Sequence, residues 1–316
     1  MHEDTNLRNA ETVLSQVFGE NGLHLRLVLN GVNKTLTGKS LRGEFYLRLS
    51  PEQLHSKFEL QREARILALV AEHNPTLAAS PFPDHQQAGT AFAWDDKTYF
   101  GIATTVAPGE TYDESPDQLK RFGGALASLH GIPLPVNWKR DAGEQPLGLP
   151  LQDSGDEHLS AEIRQVSSAA AAWTHRNSSR QSGRLSIRHG DAWPGNCRFS
   201  ESAVTLFDFE HASIGDPVAD FANVAWWLTG LQQPSEAKAK LWSSFLAGYE
   251  EGSHIPDLSS LPYHVLQVEL RSLVFLRDFI RLSPEVTASV SAGAHQLVGA
   301  WQDRVVPDSG FMPAGW

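Results

Sequence analysis

The hydrophobic pattern of this chain mixes strand and helix signals as far as Pro108-Gly109 and turns mainly helical after it, and that change limits the folds open to it. Before the break, extended runs surround one helical stretch. "LHLRLVLNG" (23–31) partly alternates and ends on Asn-Gly, a turn dipeptide. "EFYLRLS" (44–50) is a second extended run, stopped by Pro51, and "TYFGIATTVAPGE" (98–110) is a third. Between them "SKFELQREARILALVAEH" (56–73) repeats with a helical period. Leu60, Ala64, Leu67 and Ala71 share one stripe, and His73, Asn74 and Pro75 end it.

After the break the period is mainly helical. In "SPDQLKRFGGALASLHG" (115–131), Ser115 and Gln118 have the spacing of a capping box, Pro116 takes the first helical position and Gly131 follows the last turn. Leu119, Phe122, Leu126 and Leu129 form its buried stripe. "AAAAW" (169–173) lies inside another helix. Asp216 and Pro217 read as N-cap and first residue of a helix burying Phe221, Val224, Ala225 and Leu228, with Trp226 and Trp227 assigned to the core. Residues 132–157, rich in Pro and Gly, read as a long surface connection. The expected architecture is α+β in two lobes: a small β-rich lobe with one main helix over residues 1–107, then a larger α-helical lobe over 108–316.

Charge and cysteine usage narrow the function classes. With 37 acidic against 26 basic residues the chain has no basic surplus for a nucleic-acid backbone, and its net charge of −11 is compatible with a cationic small molecule. Cys197 is the single cysteine, so no intrachain disulfide can form. The first residues, "MHEDTNLRNAETVL", lack the apolar core of a signal peptide, and no run reaches the roughly 18 apolar residues of a membrane span. The expectation is a cytoplasmic protein with no membrane or nucleic-acid partner.

Chemistry concentrates in "RHGDAWPGNCRF" (188–199) and "DFEH" (208–211). "NCRFSESAVTLFDF" reads as a hairpin, with strand 196–199, a polar turn at Ser200-Glu201-Ser202, and strand 204–207 returning. The short legs bring Asp208 back to the end where Asn196 and the loop from His189 begin, so Asp191, Asn196 and Asp208 are expected to converge. Three oxygen-bearing side chains suit a hard divalent cation such as Mg²⁺. The same stretch also offers His189, Asp191, Asp208 and His211, ligand types for a metallohydrolase.

These motifs carry a resemblance. "HGDAWPGN" followed by "LFDFE" resembles the H-x-D-x-x-x-x-N loop and metal-binding Asp of the aminoglycoside phosphotransferase and choline kinase superfamily, a branch of the protein-kinase-like fold. "SIGDPVADFANVAWW" (213–227), "LRGEFYLRLS", the helix bearing Glu63, "FGIATTVAPGE" and "GGALASLH" extend it over roughly residues 25–230. The resemblance implies an ATP- and Mg²⁺-dependent kinase acting on a hydroxyl of a small molecule. A cationic acceptor, an aminoglycoside-like sugar or an amino alcohol such as choline or ethanolamine, is the leading class. Asp191 would accept or orient the hydroxyl proton, and Asn196 and Asp208 would hold Mg²⁺, with Glu210 a further metal ligand or a brace. Arg48 would grip phosphate oxygens, with Glu63 fixing its direction. The backbone of Thr104, Thr105 and Val106 would meet the adenine edge, and Asn33 belongs to "NGVNK" (30–34), which stands where a phosphate-covering loop is expected.

Departures and simpler readings are part of the picture. No G-x-G-x-x-G is present, and an arginine at position 48 grips differently from a lysine. Without the resemblance, Glu63 would be a solvated residue near Lys57 and Arg62. His189 and Asp220 read as structural braces and Cys197 as an inert apolar residue. A nucleotide-binding pseudoenzyme would be expected to have lost Asp191 or Asp208, and both are present.

Overall fold

The computed structural model describes residues 2–138, 159–176 and 185–302. They form two compact units. The first comprises Met1–Thr111 together with Cys197–Ala212, and the second Tyr112–Asn196 together with Ser213–Trp316.

The first unit is built on a five-stranded antiparallel sheet of β1 (His24–Asn30), β2 (Lys34–Ser40), β3 (Gly43–Pro51), β4 (Thr90–Trp94) and β5 (Lys97–Thr105), in the order β1-β2-β3-β5-β4. Alternation along β3 sorts its side chains. Phe45, Leu47 and Leu49 are buried on one face, which leaves Tyr46 and Arg48 for the other. The buried face is covered by α1 (His2–Phe18), whose Ala10, Leu14 and Phe18 pack against Leu25, Leu36, Phe45 and Leu47. The N-terminal stretch, polar in composition, is thus a second helix of this unit. Burying side chains of this size contributes about 1.5–3 kcal/mol each.

α2 (Lys57–His73) opens with a complete capping box: Ser56 accepts the Glu59 N–H, and the Glu59 carboxylate accepts the Ser56 N–H at 2.7 Å. That start fixes the helix phase, and Leu60, Glu63, Ala64, Ile66, Leu67 and Val70 become the buried side, whereas Ala71 is only partly covered.

The chain returns to this unit late. β7 (Cys197–Phe199) and β8 (Val204–Leu206) pair as a hairpin. β8 continues into the first unit through Ala79 N–H to Leu206 O and Leu206 N–H to Leu77 O, both 2.8 Å, while Phe199 bridges to Glu110. Gly109, at φ +111°, permits this approach, because a Cβ there would stand 2.5 Å from Phe199 O.

The second unit is helical. α3 (Pro116–His130) buries Leu119, Phe122, Leu126 and Leu129 completely and packs on α6 (Ser235–Gly252). The approach is close enough that a Cβ on Gly248 would collide with the Lys120 carbonyl. The cap of α3 corrects the sequence reading. Ser115 accepts the Gln118 N–H, but the Gln118 side chain accepts the Asp113 N–H instead of closing the box.

α4 (Ser160–Arg176), α7 (Leu261–Phe279) and α8 (Pro284–Trp301) pack together, and α5 (Val218–Gly230) lies on α7. A two-stranded ribbon of β6 (Ser186–Arg188) and β9 (Ser213–Gly215) lies against α3. α5 begins one residue later than expected, at Val218, because Pro217 occupies the cap position; Asp216 still accepts the Val218 N–H at 3.0 Å. Trp226 and Trp227 are half-buried and do not belong to the core. Part of the Pro- and Gly-rich connection, residues 139–157, lies outside the described residues. Among the described residues no helix is long and apolar enough to cross a membrane.

Candidate active site

In the first unit, three carboxylates gather on one arginine. Arg48 Nη2 donates to Glu63 Oε2 at 2.5 Å, and Nη1 donates to Asp208 Oδ1 at 2.8 Å. Nε stands 3.9 Å from Glu210 Oε2. β3 sends Arg48 to this face, and the phase of α2 sends Glu63 inward to meet it, away from Lys57 and Arg62.

Burial opposes Arg48's charge, but the three carboxylates override it and hold the guanidinium firmly protonated. Burial likewise raises the Glu63 carboxyl, with Arg48 pulling it back. Glu210 goes the other way: against its burial, the hydrogen bond with His55 and the charge of Arg48 hold its carboxyl far below the usual range.

Asp208 has φ +63°, a left-handed conformation uncommon for a residue with a side chain. Such strain marks positions whose side-chain direction matters more than backbone comfort.

Beside this cluster is a pocket. Arg48, Glu63 and Asp208 supply its charged end, and Tyr46, Leu67, Ala79, Ile102, Phe207 and Phe209 its apolar walls. Thr104 lines it as well. Thr105 does not offer its N–H outward; it donates to Ser80 O at 2.8 Å while its hydroxyl accepts the Ser80 N–H. Val106, past the strand end, is 37% exposed.

Asn33 Nδ2 donates to Glu210 Oε2 at 2.9 Å, so the β1–β2 turn is tied to the segment after β8. Two atoms around the charged end, Asn33 Oδ1 and Arg48 Nε, are buried without a hydrogen-bond partner. Buried polar atoms left in this state favour the arrival of further polar groups.

In the second unit, the loop 189–196 is braced through its backbone. Asp220, in the first turn of α5 and fully buried, accepts the His189 N–H on Oδ2 at 2.7 Å and the Gly190 N–H on Oδ1 at 2.8 Å. His130 Nε2 lies 3.0 Å from Oδ2, and its Nδ1 lies 2.9 Å from the Tyr249 hydroxyl. Burial alone would raise the Asp220 carboxyl; the His130 hydrogen bond, the neighbouring histidine charges and the Gly190 N–H bring it below its ordinary value.

Asn196 Nδ2 donates to Asp191 Oδ2 at 2.8 Å and to the Asp191 carbonyl at 3.0 Å. With its amide nitrogen committed to these acceptors, Asn196 keeps its Oδ1, a hard oxygen, for another partner. Arg271 of α7, which the sequence reading missed, donates to Gly190 O at 2.6 Å and to Asn223 Oδ1 at 3.0 Å.

The His189 ring is fully buried and its Nδ1 faces the Asp191 N–H, and among the described residues no three His, Cys, Asp or Glu side chains make a metal-holding group. Cys197 is buried, and burial pushes its thiol far up, so it is inert.

The sequence matches the model of the phosphotransferase enzyme family over residues 33–255. No curated protein matches it. Among solved structures, similar folds include an amicoumacin kinase in complex with AMP-PNP, Ca²⁺ and Ami, with TM-score 0.70 and 14% identity over 95% of this chain and 96% of that one. A microcompartment-associated aminopropanol kinase has TM-score 0.69 and 17% identity over 92% and 96%. The Plasmodium vivax ethanolamine kinase has TM-score 0.56 and 14% identity over 88% and 82%.

Proposed function

Because the chain belongs to the phosphotransferase enzyme family, we propose that it transfers the γ-phosphoryl group of ATP, in a Mg²⁺-dependent reaction, to a hydroxyl of a small cationic molecule such as an amino alcohol or an aminoglycoside-like sugar. The observation that carries this reading is the Arg48–Glu63–Asp208 cluster beside an apolar pocket in the first unit. Phosphoryl transfer needs positioning and charge neutralisation more than covalent help, and such a cluster supplies both. Arg48, held by Glu63, would meet phosphate oxygens in the place Asp208 now occupies. Asp208 and the Oδ1 of Asn196 have the hard-oxygen chemistry that Mg²⁺ prefers. A bound Mg²⁺ would neutralise charge developing on the phosphates. Glu210, already engaged with Asn33 and His55, suits a bracing role better than a ligand role.

Asp191 would orient the acceptor hydroxyl and take its proton late, its carboxylate kept in place by Asn196. Support for a cationic acceptor comes from Glu269 on α7. It is 8% exposed, accepts the Trp226 indole N–H at 2.6 Å, and has no cationic side chain within ion-pair distance among the described residues. A buried carboxylate without a counter-charge is costly, and an ammonium group would relieve it.

The test is a screen of amino alcohols, aminoglycosides, neutral sugars and macrolides for acceptor-dependent ADP release. The expected result is turnover with an amine-bearing acceptor that requires Mg²⁺ and is lost with the neutral analogue. Turnover confined to neutral acceptors would remove the cationic part of the reading, and none with any acceptor would count against phosphotransfer.

A further inference from the structure

α7 reaches the loop that carries Asp191 from beyond the family match, which ends at residue 255. Gly190, at φ +83°, immediately precedes Asp191. Glycine is the residue with the most backbone freedom, so unless its two peptide groups are held, the direction of Asp191 is not fixed. Asp220 holds the first of them, accepting the Gly190 N–H at 2.8 Å. Arg271 holds the second, donating from Nη1 to the Gly190 carbonyl at 2.6 Å. Its Nη2 is anchored on Asn223 Oδ1 at 3.0 Å, one α5 turn from Asp220. The same Nη2 lies 3.5 Å from Asp191 Oδ1, at the limit of a hydrogen bond, while Asn196 holds Oδ2 at 2.8 Å.

We propose that Arg271 is a positioning residue: it fixes the Gly190–Asp191 peptide plane and with it the direction of the Asp191 carboxylate. The geometry stands alone, and the consequence for turnover rests on the phosphotransfer reading above. The short bonds go to a backbone carbonyl and an amide, and the ion pair with Asp191 is longer at 3.5 Å, so Arg271 acts first on orientation. The guanidinium fork matters because one planar group must reach two acceptors at once, which a lysine ammonium on a flexible stem does not reproduce. An arginine that bound the acceptor would present its nitrogens to solvent, whereas here both Nη atoms face fixed partners.

The experiment uses the full chain with Arg271→Ala and Arg271→Lys. Amide hydrogen exchange over residues 188–196 is compared with that of β3 and β5. Hydrolysis of MgATP without added acceptor gives turnover, and AMP-PNP calorimetry gives nucleotide affinity. Expected are faster exchange in 188–196 with β3 and β5 unchanged, turnover lowered about 100-fold, the scale of a misplaced catalytic group, and AMP-PNP affinity kept within about twofold. Guanidinium chloride at millimolar concentration should return part of the rate to Arg271→Ala, and Arg271→Lys should not restore it. Should the alanine variant fail to fold, the lysine variant carries the exchange and turnover measurements. Unchanged exchange over 188–196, or a loss seen wholly as a raised KM, would overturn the proposal. A wild-type protein that releases no ADP from MgATP, either alone or with any acceptor of the screen above, would sink the phosphotransfer reading, and the exchange result would still decide the hold on Gly190.

Discussion

The two halves of the candidate machinery are held in opposite ways. In the first unit the functional side chains hold one another: Arg48 bonds Glu63 and Asp208 directly, more carboxylates than cations are present, and Asp208 sits in a strained conformation. In the second unit the functional side chain is held through its backbone. Asp220 and Arg271 grip the peptide groups around Gly190, and among the described residues the Asp191 carboxylate is approached by Asn196 and, at longer range, Arg271. An electrostatic cluster can exchange partners when charged ligands arrive. A braced loop cannot, and it delivers one group in one direction. On the phosphotransfer reading proposed above, binding would fall to the first and chemistry to the second.

The comparison can be broken at its most charged point. Asp208→Asn exchanges a carboxylate for a neutral isostere, so metal-dependent turnover should fall by about a thousandfold while the fold survives. Measured Mg²⁺ titrations of ADP release would reveal it, and a change of less than tenfold would mean that Asp208 does not handle the metal. In the second unit, Asp191→Asn keeps shape and removes the charge that favours departure of the hydroxyl proton. Turnover should fall by about 100-fold with nucleotide affinity nearly unchanged. If calorimetry showed lost nucleotide binding instead, Asp191 would belong with the binding half and the contrast would fail.

What the sequence made legible follows the same division. The loop from His189 to Asn196 and the hairpin behind it are local, and their turn residues and spacing identify them in one reading. The same holds for the buried stripe of α3. Partners far along the chain left no such trace. Arg271 is separated from Asp191 by 80 residues and sits in an ordinary amphipathic helix, where an arginine reads as surface. Glu269 reads as surface for the same reason, yet it is buried beneath the Trp226 indole. Nor does local pattern show that the hairpin 197–212 groups with the first unit, since the bonds responsible run to residues 77–79 and 110. The Thr105 N–H goes to Ser80 O, a pairing set by tertiary register that local pattern does not show.

The brace itself makes a stability prediction. Asp220→Asn leaves the loop N–H groups and His130 without their carboxylate and should cost about 3–5 kcal/mol, the range for removing one partner of a buried charged pair. Because the folded-state carboxyl lies below its ordinary value, its contribution is fully present above the unfolded value of about 4 and is lost as pH falls through the lower folded value. Denaturant melts of wild type and variant should therefore differ at neutral pH and converge in acid. A gap that stayed constant with pH would show that shape, and not charge, supports the loop.

The smallest expected effect tests whether the first-unit cluster depends on the shape of its cation. Arg48 serves Glu63 with one Nη and Asp208 with the other, a division that its planar fork makes without bending the side chain. Arg48→Lys keeps the positive charge among the same carboxylates but concentrates it on one nitrogen. That nitrogen can remain near Glu63, which is buried and depends on it most, and then loses its reach toward Asp208 and toward phosphate. Nucleotide affinity should weaken by about tenfold, equivalent to about 1.4 kcal/mol, with the maximal rate less affected because Asp191 and its brace are unchanged. AMP-PNP calorimetry alongside turnover at saturating ATP separates the two. A drop in the maximal rate at unchanged affinity would mean that Arg48 acts on the transition state, and the assignment of binding to the first unit and chemistry to the second would have to be redrawn.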